Sequence, residues 1–222
     1  MRFRGAAGAA AMLTLTLAAT GCGGDDAPSE GSGPARVVVQ ETAGVPSAFV
    51  ASAWTGGIFS RQGLEVEVMA AQGGAAAIPA IVSGDVEVAG SNVVSLLLAA
   101  GRDLPIQAIA GGTRARAEGE KDFGALLVRG GEISAPADLE GRTVAVNTLD
   151  NVAEVVVKAS VEQEGVDVST LKLAEVPFPE MATALEGGDV DAAFSIEPFV
   201  TQSVRDGAEV LNYSYVETEG DM

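Results

Sequence analysis

Histidine is absent from the 222 residues, and cysteine occurs once, at Cys22. Without histidine there is no Ser-His-Asp or Cys-His machinery and no imidazole metal site. A single cysteine excludes an intramolecular disulfide and a thiolate zinc cluster. Basic side chains are scarce: 13 Lys and Arg stand against 31 Asp and Glu, for a net charge of −18. Phosphate binding needs clustered Lys and Arg, so this balance argues against a nucleic-acid partner. Aromatic residues make up only 5% of the chain while 47% is hydrophobic and 28 residues are glycine. The core must therefore be aliphatic and built largely from Ala and Val. The length suits one large domain or two lobes of about 100 residues each.

Arg2 and Arg4 open the chain as a short basic region, and an uncharged run follows as far as Gly24. Its apolar centre, richest in Ala, Leu and Thr, is short for a permanent membrane span and has the form of a signal peptide. The run ends in Ala19-Thr20-Gly21-Cys22, which resembles a bacterial lipobox, with Ala19 where Leu is usual. Residues 1–21 are thus expected to be a lipoprotein signal peptide and Cys22 the lipidated N-terminus. Cleavage there removes two arginines and no acid, leaving a charge of −20. Residues 22–35 carry no large apolar side chain and cannot offset their ordering entropy by burial. They read as a flexible tether holding a folded domain at the outer face of the cell membrane.

From Ala35 onward strands and helices alternate. Val37-Val38-Val39 suits a buried parallel strand, and Leu64-Glu65-Val66-Glu67-Val68 alternates as a half-buried one. Between them Pro46 can open a helix whose spacing buries Phe49, Val50, Ala53 and Trp54, with Ile58-Phe59 returning to the core. A helix from Gly74 to Ser83 stops at Gly84; strands are expected over 86–89 and 105–110, flanking a helix over 92–100. The polar stretch 111–122 looks like a crossing between lobes. Strands then follow over 123–128, 143–146, 171–176 and 190–195. Helices begin at Asp150 as N-cap, at Pro179 and at Pro198. The first of these should bury Val152, Val155, Val156 and Ala159 and pair Glu154 with Lys158. Such repetition implies mostly parallel sheets covered on both faces. The halves also echo one another, since Gly84-Asp85-Val86-Glu87-Val88-Ala89 reappears as Gly188-Asp189-Val190-Asp191-Ala192-Ala193. Two similar lobes facing a cleft are expected.

Gly57-Ile58-Phe59 with Gly63-Leu64-Glu65-Val66, then Gly73-Gly74, Ser83-Gly84-Asp85-Val86, the stretch Leu139-Glu140-Gly141-Arg142-Thr143-Val144-Ala145, the second Gly-Asp-Val motif and Glu197-Pro198-Phe199 come in a characteristic order. Together they resemble the solute-binding components of ABC importers of the nitrate/sulfonate/taurine and thiamine-precursor type. The resemblance implies an α/β Venus-flytrap fold, with lobe 1 over residues 36–115 and lobe 2 over 116–211. It also implies ABC permease and ATPase subunits as partners, and no cofactor, metal or catalysis. Residues 212–222 would begin a return strand to lobe 1, with the rest of that lobe still to follow.

Ligands of open α/β sheets bind beyond the carboxyl ends of strands, where helix N-termini present unpaired amides. That rule nominates Gln40, Glu41 and Thr42 after the first strand, and Gly73 and Gly74 after the second. Ser91 and Asn92 follow the third strand, Asn147 and Thr148 face them from the other half, and Glu197 and Phe199 occupy the last junction. Simpler roles stand beside these. The glycine pair could serve a left-handed turn, Ser91 and Asn92 could cap a helix, Asn147 could turn the chain and Phe199 could be core. None of the junctions holds Lys or Arg, whereas two hold glutamate. A neutral or cationic nitrogen compound therefore fits better than a simple anion, although helix amides alone can hold a sulfonate. A sensory or docking lipoprotein of the same fold, or a carboxylate-dependent enzyme, are the alternative functions.

Overall fold

The computed structural model describes residues 33–44, 48–112 and 121–219. The expected signal peptide, Cys22, most of the tether, Pro46 and the middle of the crossing at 113–120 lie outside the described residues.

The first lobe is built on β1 (Ala35–Thr42), which lies between β2 (Leu64–Ala71) and β3 (Val88–Ala89) and is parallel to both. Between β1 and β2 run α1 (Ala48–Thr55) and the single turn α2 (Ile58–Arg61). Next come α3 (Gly74–Ser83) before β3 and α4 (Val93–Gly101) after it. Gly84 closes α3 at φ 81°, in the left-handed region where a side chain is strained. Asp85 and Val86 N–H then both donate to Ala80 O, which starts the chain back toward the sheet.

The second lobe holds a five-stranded sheet in the order β6-β5-β7-β4-β8. Its strands are β4 (Gly124–Val128), β5 (Thr143–Val146), β6 (Lys172–Glu175), β7 (Ala192–Ile196) and β8 (Glu209–Asn212). β5 is parallel to β6 and β7, while β4 runs antiparallel to β7 and β8. One face is covered by α5 (Val152–Gln163) and α8 (Ser214–Glu219), the other by α6 (Phe178–Gly187) and α7 (Phe199–Arg205). Leu126, Val144, Val157 and Phe194 pack on the first face; Leu127, Phe178, Met181 and Leu185 pack on the second. Fully burying such a side chain stabilises by about 1.5–3 kcal/mol. The fold is thus α/β, with parallel-dominated sheets flanked by helices.

Several expectations are corrected. Residues 105–110 join no sheet: the first-lobe sheet ends at the two-residue β3, and the stretch runs on as irregular chain after α4. Trp54 is 55% exposed, and Ile58 sits on α2 facing solvent, so neither enters the core. The cap of α5 is Asn151, since Asp150 adopts φ 53° and ends the preceding loop. That shift turns the buried stripe of α5 to Ala153, Val156, Val157, Ser160 and Val161, leaving Val155 exposed. Glu154 and Lys158 pair as expected. Residues 214–219 are helix rather than a return strand. Tyr215 of that helix stacks on Phe123 and meets Phe194 edge-on, inside the second lobe.

Candidate functional site

Junctions of both lobes meet at the strand carboxyl ends. In the first lobe Gly73 and Gly74 start α3, and no side chain caps it. The first amides of that helix keep their hydrogen-bonding capacity and its partial positive charge. Neither glycine lies in the left-handed region, so a turn does not explain the pair; closeness does. A Cβ on Gly73 would stand 2.3 Å from Asn147 Nδ2 and 3.1 Å from Thr148 Oγ1, both on the other lobe. A Cβ on Gly74 would stand 2.4 Å from Ser91 Oγ.

Glu41 is buried near the end of β1, and a Cβ on Gly90 would come within 2.8 Å of its Oε2. Beside it, the Oε1 of Gln40 is buried without a hydrogen-bond partner. Thr42 ends the strand, half-buried. Asn92 does cap α4, its Oδ1 accepting from Ser95 N–H at 3.0 Å, and Ser91 is exposed. From the second lobe Asn147 and Thr148 follow β5 and are buried. Asn147 Nδ2 donates to Gln72 O at 3.2 Å, across to the first lobe.

Gly73, Gly74, Ser91, Asn92, Asn147 and Thr148 thus form one cluster, with Glu41 reached through Gly90. Glu197 and Phe199 lie at the β7 end. The Glu197 carboxylate accepts from Thr201 N–H at 3.1 Å and from its hydroxyl at 2.8 Å, a local bond within the first turn of α7. Phe199 stacks on Phe178 at 6.3 Å, and its ring reaches the first lobe at Gly44, where a Cβ would stand 2.6 Å from Cζ.

Sequence reasoning missed Asn151, Ser95 and Gly44. Asn151 is buried, donates to Thr148 Oγ1 at 2.6 Å and accepts from Asn92 Nδ2 at 3.0 Å. The signal was available: Asn147 and Asn151 bracket the short loop between a strand and a helix. Chemically the cluster offers amides, hydroxyls and backbone groups. Its acid is Glu41, and it holds no lysine or arginine. Among the described residues no group of three or more His, Cys, Asp or Glu could hold a metal. The carboxylates held below their ordinary range, Asp138 by the amides of Ser134 and Ala135 and Asp167 by Ser169, belong to the 3-10 turns at Pro136–Leu139 and Val168–Thr170.

Two α/β units, alike in strand order and touching at their strand carboxyl ends, define a two-lobed periplasmic-binding-protein-like fold. The chain belongs to the NMT1/THI5-like family, whose model matches residues 47–220. Among solved structures it is similar to the alkanesulfonate-binding protein SsuA from Xanthomonas axonopodis pv. citri, at 17% identity and a TM-score of 0.67. That match covers 82% of this chain and 62% of the other. A Bordetella bronchiseptica protein shares 23% identity at a TM-score of 0.70, covering 83% and 60%. The aliphatic sulphonate binding protein SsuA from Escherichia coli shares 15% at 0.58, covering 81% and 57%. The chain therefore spans about 60% of the length of these structures. No match is found among curated protein sequences. Among the described residues no helix is long and apolar enough to cross a membrane.

Proposed function

We propose that this chain captures a small molecule between its lobes, outside the cytoplasm, and presents it to the permease and ATPase subunits of an ABC importer. The observation that carries the reading is the polar seam at Gly73, where the bare start of α3 faces Asn147 and Thr148 of the other lobe. Small residues bring two strand-end junctions together there, and neutral donors and acceptors line them. Membership of the NMT1/THI5-like family and similarity in fold to sulfonate-binding proteins support the same reading.

Ligand contacts come from Gln40, Glu41, Thr42, Gly73, Gly74, Ser91, Asn92, Asn147 and Thr148, with Glu197 and Phe199 at the second-lobe edge. Glu41 and the absence of Lys and Arg from these junctions favour a neutral or cationic nitrogen compound. The α3 amides are the feature that would hold a sulfonate instead. The chain binds and releases; it does not turn its ligand over. Residues 1–21 direct export, and lipid on Cys22 tethers the domain to the outer face of the membrane.

Native mass spectrometry of the chain purified under mild conditions, followed by calorimetry with amines, pyrimidines and sulfonates, tests this. Saturable binding of one molecule, recovered unchanged, is the expected result. Chemical conversion of the ligand, or no binding by any of these classes, overturns it. Cys22→Ser should move the protein from the membrane to the soluble fraction; continued membrane association defeats the anchor.

A further inference from the structure

We propose that α4 and the loop leading into α5 form a latch that holds the two lobes together before any ligand arrives. Asn92, Ser95, Ala99 and Arg102 are spaced three, four and three residues apart and so share one face of α4. The buried, small Ala99 lets that face come close. Opposite it, Asp150 adopts φ 53°, a conformation that Asp and Asn accept more readily than other side chains. Its carbonyl accepts from Ser95 Oγ at 3.0 Å and its carboxylate pairs with Arg102 at 3.2 Å. Asn92 Nδ2 donates both to Ser95 Oγ and to Asn151 Oδ1, which joins the links into one network across the lobes. The loop is braced from behind, because Asp150 N–H donates to Glu154, and Glu154 pairs with Lys158.

Asn92 belongs to both the latch and the proposed site, whereas Ser95, Arg102 and Asp150 are not among the proposed ligand contacts, so their links bias closure without touching the solute. A chain that is already closed part of the time binds with an apparent affinity set by how much of it is competent. The outer ion pair is exposed on both sides and so answers to salt.

The test needs no ligand and is therefore independent of the solute-binding reading. Spin labels are placed at Gln62→Cys and Glu186→Cys, one exposed site per lobe, in the full chain carrying Cys22→Ser. The expected result is a short interlobe distance at low salt. Asp150→Asn keeps the backbone conformation and should raise the open-to-closed ratio by up to about fivefold, the range of an exposed ion pair. Arg102→Glu should raise it further, and about 1 M salt, where screening acts within about 3 Å, should move the native chain the same way. Thermal melts by circular dichroism check that both variants fold. Superimposable distance distributions for native and variant chains at both salt concentrations overturn the latch, as does a native chain found wholly at the long distance.

Discussion

In the first lobe β1 lies between β2 and β3, and in the second β5 lies between β6 and β7. The same bonds recur at the same places. Gly84 and Gly188 end their helices at φ 81° and 80°, and the next two amides return to Ala80 O in one lobe and to Ala184 O in the other. Glu87 accepts from Val38 N–H at 2.7 Å, as Asp191 does from Thr143 N–H at 2.8 Å. What differs is bulk. Phe178, Met181, Leu185, Leu126 and Phe194 fill the second lobe, whereas among the described residues the buried apolar side chains of the first are Val39, Val66, Ala77, Val86 and Ala99. Val93, Leu97 and Trp54, all more than half exposed, also belong to the first lobe. The helix starts diverge likewise. Where the first lobe has Gly73-Gly74, the second has Pro177, without an N–H, and the buried Phe178. One lobe closes its junction with a ring and gains a core; the other leaves its junction bare and faces its neighbour.

Four measurements can break that contrast. Phe194→Ala should cost about 3–5 kcal/mol in urea unfolding, while Val66→Ala, which removes two methyl-sized groups, should cost about 1–2 kcal/mol. Equal losses would mean that both lobes are packed alike. Gly73→Ala, whose methyl would overlap Asn147 Nδ2, should cost about 1–3 kcal/mol through overpacking at the lobe contact. A neutral result would show that the lobes part freely there.

The repeated carboxylates are not equal either. Asp191 is half-buried and also pairs with Arg142 at 3.3 Å, whereas Glu87 is exposed. Asp191→Asn should therefore cost about 1–2 kcal/mol and Glu87→Gln less. Hydrogen exchange at Thr143 and Val38 amides reads each loss separately. The smallest effect concerns acid. Asp138 and Asp167 of the second lobe are held below their ordinary range by Ser134 and Ser169. A carboxylate depressed in the folded state adds stability above its unfolded value of about 3.9, lost as pH falls through the folded value. Asp138→Asn should flatten that decline; an unchanged pH profile would remove Asp138 from it.

Much of this architecture was legible. Gly84 and Gly188 mark helix ends because glycine alone enters the left-handed region without strain, and the Gly-Asp-Val echo between them announced two similar lobes. The glycine pair and Asn147 were also readable, since strand-to-helix junctions are where such sheets bind. Other features depended on neighbours that sequence pattern does not carry. Residues 105–110 are apolar enough for a strand but pair with none of the described strands. The face of α5 was misjudged because one residue, Asp150, takes a left-handed turn and moves the helix start. Asn151 and Ser95 matter only because the lobes touch, and local spacing does not report that contact.

The placement of the aromatic rings makes the two lobes optically separate. The single tryptophan, Trp54, stands in solvent on the first lobe, while both tyrosines, Tyr213 and Tyr215, belong to the second. Tryptophan emission would thus follow the surface of one lobe, and the near-ultraviolet tyrosine signal would follow the packing of the other. A chain that unravels in halves would announce it as two colours changing at different temperatures.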